Sequence, residues 1–283
     1  MGGVHGSRHQ CPHAASGHSR GGRTTRGAAR RPYRGRPSGE RVDCDPRVAA
    51  ALLLAQAGVP AERLAPIGSQ PLRLGAAVAT VWGLVPHTAQ RASPAQIGAL
   101  ARQLHDATEG VARHPSAHIF DPIGAIRAAL GEARRCDAPT GAIGEVATRA
   151  LRLKAAWASA AREDPLGCAL VHGDLHAGNT MPAAGGPVLV DLELCGTGPR
   201  SYDLAPAAVA ARRYGAPASD VDLLVDGYGD DPRSWVGFET FCQVYELWAT
   251  AWALSQPDPE AVAEGVVRAA ALSGTSGRPW QLR

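Results

Sequence analysis

The stretch Ala169-Leu-Val-His-Gly-Asp-Leu-His-Ala-Gly-Asn-Thr-Met-Pro-Ala-Ala-Gly-Gly-Pro-Val-Leu-Val-Asp-Leu-Glu193 decides how this chain reads. Ala169 to Val171 is a short apolar run, the signature of a buried strand, and a polar cluster follows at once: His172, Asp174, His176 and Asn179. Gly185-Gly186-Pro187 turns the chain. A second apolar run, Val188 to Val190, then ends on Asp191, with Glu193 two residues on. Polar side chains at the ends of two buried strands are costly to keep unless they pair with each other or do chemistry.

Asp174 and Asn179 stand in a D-x-x-x-x-N pattern. That spacing serves phosphoryl transfer, where the Asp accepts the proton of the attacking hydroxyl and the Asn holds magnesium. A second magnesium carboxylate is needed just past a following strand, and Asp191 fits. Mg²⁺ is hard and prefers oxygen ligands, commonly one or two carboxylates plus phosphate oxygens. Other readings stay open for the single residues. His172, Asp174 and His176 alternate, so on a strand they would share a face and suit a metal of another kind, although that leaves Asn179 and Asp191 without a role. Asn179 alone reads as a turn residue, Asp191 as a strand-end cap and Asp203 as a helix N-cap.

Three pieces, His172-Gly-Asp-Leu-His-Ala-Gly-Asn179, Val188-Leu-Val-Asp-Leu-Glu193 and Gly198-Pro-Arg-Ser-Tyr-Asp-Leu-Ala205, together resemble the aminoglycoside phosphotransferase family, kinase-like enzymes that phosphorylate small molecules. The resemblance implies an α+β, protein-kinase-like two-lobe fold and ATP-dependent transfer to a hydroxyl of a small molecule, aminoglycoside-like or another amino alcohol or sugar. It implies Mg²⁺ and ATP as cofactors, Asp174 as catalytic base, and Asn179 and Asp191 as magnesium ligands. His172 would hold the loop in shape and Asp203 would brace it from a following helix. His176, two after the base, stands where protein kinases often carry a Lys near the transferred phosphoryl.

The small lobe implied by this resemblance is incomplete. Residues 43–88 supply an alanine-rich helix over 46–58, with Val48, Ala51, Leu52 and Ala55 on one face, then strands at Leu64 to Ile67 and Ala77 to Val85. The segment holding Trp82, Leu84 and Val85 would be the hinge, where backbone groups meet a purine base; a strand ending in a proline turn is the plain reading of the same residues. The strands, phosphate-covering turn and basic residue that should come first have no counterpart. Lys154, the one lysine, falls in a helix of the large lobe, residues 89–283. Arg is a poor stand-in for a compact point charge, so a catalytically impaired binding module is the rival to an active enzyme.

Residues 1–42 are rich in Gly, Arg, His and Ser, with nine arginines against the single acid Glu40. Such a segment buries too little apolar surface to order itself and reads as a disordered tail. A nucleic-acid-binding arm is the sharper reading, and His5, His9, Cys11 and His13 could take a metal, but no aromatic interleaving supports either. With the tail set aside, the net charge of +3 becomes net acidic over the remainder. The six cysteines are scattered in a chain whose 45% hydrophobic content supports a core without staples, which points to reduced thiols and a cytoplasmic location. Val48 to Val59 is too short to span a bilayer, so no membrane role is expected, and the N-terminal stretch has no apolar core of the secretory kind.

From residue 93 the pattern is helical. Ser93-Pro94 and Asp121-Pro122 are helix starts. Ser234 to Leu254 carries an apolar stripe of Phe238, Phe241, Cys242, Tyr245, Trp248, Ala249 and Trp252, which reads as core. The resemblance implies that substrate binds in this region. Glu239 and Glu246, seven apart on one helix face, are the acids best placed to meet a cationic substrate.

Overall fold

The computed structural model describes residues 45–281, apart from 76, 88, 89, 112, 113, 115 and 275–277. Residues 1–42, with the candidate nucleic-acid arm and its histidines, lie outside the described residues. In chain order the elements are α1 (Pro46–Gln56), β1 (Leu72–Leu74), β2 (Ala77–Ala79), α2 (Pro94–Thr108), α3 (Pro122–Arg135) and α4 (Thr140–Glu163). Then come β3 (Cys168–Val171), β4 (Thr180–Ala183), β5 (Gly186–Leu189), β6 (Gly196–Pro199), α5 (Ala205–Arg213), α6 (Ala218–Tyr228), α7 (Gly237–Leu254) and α8 (Pro259–Ala271). The strands form three antiparallel pairs, β1–β2, β3–β6 and β4–β5.

Helix starts follow the cap chemistry of the sequence. Asp45 accepts the Arg47 N–H at 2.9 Å, Ser93 forms a capping box with Gln96, and Asp121 accepts the Gly124 N–H at 2.8 Å. The face of α1 differs from expectation. Val48, Ala49, Ala50, Ala51, Leu53 and Leu54 are buried, whereas Leu52 is 49% exposed and Ala55 also faces outward. An alanine-rich helix has little amphipathic contrast, so its packing partner, the single turn at Leu192–Leu194, selects the face.

The segment expected as a strand at Leu64 to Ile67 is reduced to one bridge, Leu64 to Trp82. Gln70 takes over the pairing there: its amide donates to the carbonyls of Ala65 (2.9 Å) and Val81 (3.1 Å), and its Oε1 accepts the Val81 N–H (2.6 Å). The expected strand at 77–85 is correspondingly regular only over Ala77–Ala79, with Leu72–Leu74 as its unforeseen partner.

Under the catalytic-type loop lies an aromatic cluster. Phe120, Trp157, Tyr202 and Phe241 pack at centroid distances of 4.8–5.9 Å, and Tyr245 joins Tyr202 at 6.5 Å. These rings come from α4, α7 and the connecting segments, so the cluster ties the helical body to the strands that carry the polar residues. Helices α2 and α6 pack almost backbone to backbone. A Cβ on Gly98 would stand 2.0 Å from the Leu224 carbonyl oxygen, and one on Gly227 would stand 2.1 Å from that of Ala95.

Candidate active site

β3 ends at Val171, and the chain turns sharply through His172-Gly173-Asp174. Gly173 has φ +83, and a Cβ there would stand 2.6 Å from Phe120 Cε2, so only glycine fits. The turn is clamped by Asp203, which is fully buried. Its Oδ2 accepts the His172 N–H at 2.7 Å and its Oδ1 accepts the Gly173 N–H at 2.8 Å. Oδ2 also meets His105 Nε2 at 3.1 Å, and His105 Nδ1 lies 2.9 Å from the Tyr228 hydroxyl. With Nε2–H donating to the carboxylate, Nδ1 must accept from the tyrosine, which leaves the buried imidazole with all its hydrogen bonds made.

His172 joins the two strand ends. Its Nδ1 faces the Asp174 N–H at 3.3 Å and its Nε2 lies 3.0 Å from the Val190 carbonyl oxygen. Both ring nitrogens are therefore spent on the backbone. Nδ1 of His176 likewise accepts the Gly178 N–H at 2.9 Å. The reading of His172, Asp174 and His176 as an independent metal site fails for this reason, and among the described residues no group of three His, Cys, Asp or Glu side chains converges on such a site.

Asp174 is held from both sides. The Tyr245 hydroxyl donates to Oδ1 at 2.8 Å, and the Asn179 amide donates to Oδ2 at 3.2 Å and to the Asp174 carbonyl at 2.9 Å. His176 Nε2 stands 3.6 Å from Oδ1. Burial by itself favours the neutral acid, but the His176 charge and hydrogen bond, with the Tyr245 hydroxyl, outweigh it and hold the carboxyl below its ordinary value. His176 is pushed the other way: burial opposes its charged form, and the Asp174 carboxylate more than offsets this and raises it.

Asn179 and Asp191 sit at neighbouring strand ends, tied by the Val190 N–H to the Asn179 carbonyl at 3.0 Å. Asp191 adopts φ +68, ψ 58, and its own N–H donates to Glu62 Oε1 at 2.8 Å. Residues 60–62 run alongside β5, through Leu189 N–H to the Pro60 carbonyl (2.9 Å) and Glu62 N–H to the Leu189 carbonyl (2.7 Å). The donor types suit Mg²⁺: the Asn179 amide nitrogen is committed to Asp174, which leaves the amide oxygen as a hard donor, and Asp191 brings a carboxylate at the neighbouring strand end.

Of the residues expected at a hinge, Trp82 bridges to Leu64 and donates Nε1–H to Thr80 Oγ1 at 3.1 Å; Leu84 is 87% exposed and Val85 partly buried in the segment leading toward α2. Glu239 and Glu246 do share a face of α7, but arginines of the same chain meet both. Arg212 donates to both oxygens of Glu239 at 2.9 and 2.6 Å and to Glu246 at 3.3 Å. Arg213 makes a two-point pair with Glu246 at 3.0 and 2.9 Å, and Glu246 is 3% exposed. His105, Tyr228, Tyr245 and the two arginines were not singled out from the sequence. The sequence places Tyr245 in the core stripe of α7, and its hydroxyl is the one signal that a polar partner is needed.

A helical body carrying a loop with a pinned Asp, a neighbouring Asn and a strand-end Asp is the arrangement that the resemblance to kinase-like small-molecule phosphotransferases implies. The phosphotransferase enzyme family model matches residues 24–238, and the chain belongs to that family. The match takes in residues 24–42 of the arginine-rich segment. Solved structures agree on the protein-kinase-like α+β fold. A choline/ethanolamine kinase family protein from Mesorhizobium loti aligns with a TM-score of 0.53 at 20% identity, covering 80% of this chain and 78% of that one. Amicoumacin kinase hAmiN, solved with AMP-PNP, Ca²⁺ and Ami, aligns at 0.58 with 13% identity, over 80% and 76%. Choline kinase from Cryptosporidium parvum Iowa II aligns at 0.54 with 12% identity, over 83% and 80%. No curated protein matches in sequence. No helix among the described residues is long and apolar enough to cross a membrane.

Proposed function

We propose that this phosphotransferase moves the terminal phosphoryl group of Mg·ATP to a hydroxyl of a small molecule. The observation that carries the reading is Asp174, fixed through both carboxylate oxygens and kept ionised, one strand connection away from the Asn179 and Asp191 oxygens. Asp174 accepts the proton of the acceptor hydroxyl. Asn179 and Asp191 hold Mg²⁺, which supplies charge neutralisation at the phosphates. His172 and Asp203 keep the loop in register, and His176 stays beside Asp174 on the side of the transferred group. Catalysis of this kind is chiefly positioning plus electrostatics. Residues 43–88 form the partial small lobe and hinge, with the backbone of Trp82, Leu84 and Val85 toward the base of ATP, and residues 89–283 form the large lobe. The cytoplasm, where ATP and reduced thiols coexist, is the location we assign; Cys136, Cys168, Cys195 and Cys242 are all free thiols.

One observation favours the rival reading of an impaired binding module: the only lysine, Lys154, lies in α4. A permanently charged side chain over the phosphates from the small lobe would have to be an arginine. Arg47, at the start of α1 and paired with Asp45 at 3.0 Å, is the described small-lobe arginine whose charge is felt by both Glu193 and Asp191. Calorimetry with Mg·ATP tests the proposal, with Asp191→Ala as control. Binding that disappears in Asp191→Ala supports it. Unchanged affinity sinks the magnesium assignment, and binding without any phosphoryl transfer to water or an acceptor leaves the binding module.

A further inference from the structure

A cavity of about 330 Å³ opens at the start of α7, lined by Ala208 and Arg212 of α5, Arg233 to Val236 of the preceding turn, and Phe238, Glu239 and Cys242. Phe238 and Tyr245 are seven apart on one face of α7. Cys242 of the lining stands about one helical turn before Tyr245 on α7, and the Tyr245 hydroxyl touches Asp174. Its volume is at the small end of the usual range for small-molecule sites, about 300–1,000 Å³.

The charges on this wall are matched internally. Arg212 is held by Glu239 and Glu246. Arg233 is held by Asp231 at 2.8 Å and Asp222 at 2.6 Å. Glu239 also accepts from Gln243 at 3.2 Å, and Glu246 is taken by Arg213. Apart from Ser234, the remaining lining is apolar: the Trp235 indole packs on Phe241 at 5.6 Å and leaves no room for a Cβ at Gly237. Val236 stands 87% exposed beside it. A cationic ligand would have to displace Arg212 from a two-point pair, and an anionic one would have to pull the same arginine off two carboxylates. A neutral ligand breaks neither.

Resting on the phosphotransferase reading, we infer that the acceptor bound here is an uncharged, hydroxyl-bearing molecule with an apolar face for Trp235 and Phe238, and that the Arg212–Glu239 pair excludes polycations. Exclusion of this type is selection against the wrong partner rather than added attraction to the right one.

The experiment compares spermidine with phenyl β-glucoside by calorimetry on the full chain. The parent should bind the glucoside and not spermidine, and Trp235→Ala should weaken the glucoside by about tenfold. Arg212→Gln should bring spermidine binding up by about tenfold or more, and Arg212→Gln with Glu239→Gln should remove it again. Unfolding curves show that each variant is folded. Spermidine binding to the parent, no gain in Arg212→Gln, or glucoside binding that is absent or indifferent to Trp235→Ala overturns the inference. Mg·ATP binding that depends on Asp191 is measured in parallel. If it persists while the ligand results fail, the acceptor class alone is wrong; if it also fails, the phosphotransferase reading falls with it.

Discussion

Asp203→Asn is the substitution for which the geometry makes the sharpest demand. Both carboxylate oxygens accept a backbone N–H of the loop, Oδ2 from His172 and Oδ1 from Gly173, and the side chain is fully buried. An asparagine presents one oxygen and one NH₂ group. Whichever way the amide turns, one loop N–H faces a donor and loses its acceptor. An orphaned buried polar group costs about 1–3 kcal/mol, and replacing two charge-assisted hydrogen bonds by neutral ones removes about 1 kcal/mol each. His105 can exchange tautomers against the Tyr228 hydroxyl, but that relieves only its own contact and not the backbone. The expected loss is about 3–5 kcal/mol, in line with breaking other buried charged networks. In a domain of this size each kcal/mol moves the midpoint by about 2–4 °C, so Tm should fall by about 6–20 °C. Circular dichroism melting measures it, with the exposed Asp222→Asn as a control expected within about 0.5 kcal/mol. An Asp203→Asn protein melting within about 2 °C of the parent, well below the shift expected, would refute the clamp.

Two further outcomes follow from contacts already described. Gly98→Ala gains about 1 kcal/mol of helix propensity, yet its methyl meets the Leu224 carbonyl, which cannot move aside; a net loss of about 2 kcal/mol is expected in urea unfolding at unchanged slope. Tyr245→Phe removes a hydrogen bond that holds the Asp174 carboxyl low, so that carboxyl should rise toward its ordinary value. Asp174 contributes stability that is present above the unfolded value and lost as pH falls through the depressed folded one. Melting curves from neutral to acid pH should therefore show a smaller acid loss in the variant, complete at higher pH than in the parent, and coincident profiles would contradict the assignment.

Much of the candidate site's local geometry was legible from the order of residues. Asp174, Asn179 and Asp191 are recognisable because local chemistry fixes their spacing: a loop that leaves one strand and a residue that ends the next have few ways to meet. Helix starts at Ser93 and Asp121 were legible for the same reason, since a cap is satisfied within three residues of itself. The face of α1 was not, because alanine on every side makes the choice of partner a long-range matter. The short strand at Leu72–Leu74 was missed because three residues are too few to show an alternating pattern, and its pairing with Ala77–Ala79 is made only in the folded chain.

The acids of α7 show the division most clearly. Sequence places Glu239 and Glu246 on one face, since a seven-residue separation returns a helix to nearly the same direction. Sequence cannot say that Arg212 and Arg213, at the end of α5, come to lie against that face and cancel it. Nor can it say that Tyr245, in the same stripe, reaches Asp174 from 71 residues away. What the chain determined alone was the local chemistry of its loops and caps. What the tertiary structure decided was which charges meet, because the partner of a buried polar group is set by the packing of distant helices and not by neighbours along the backbone.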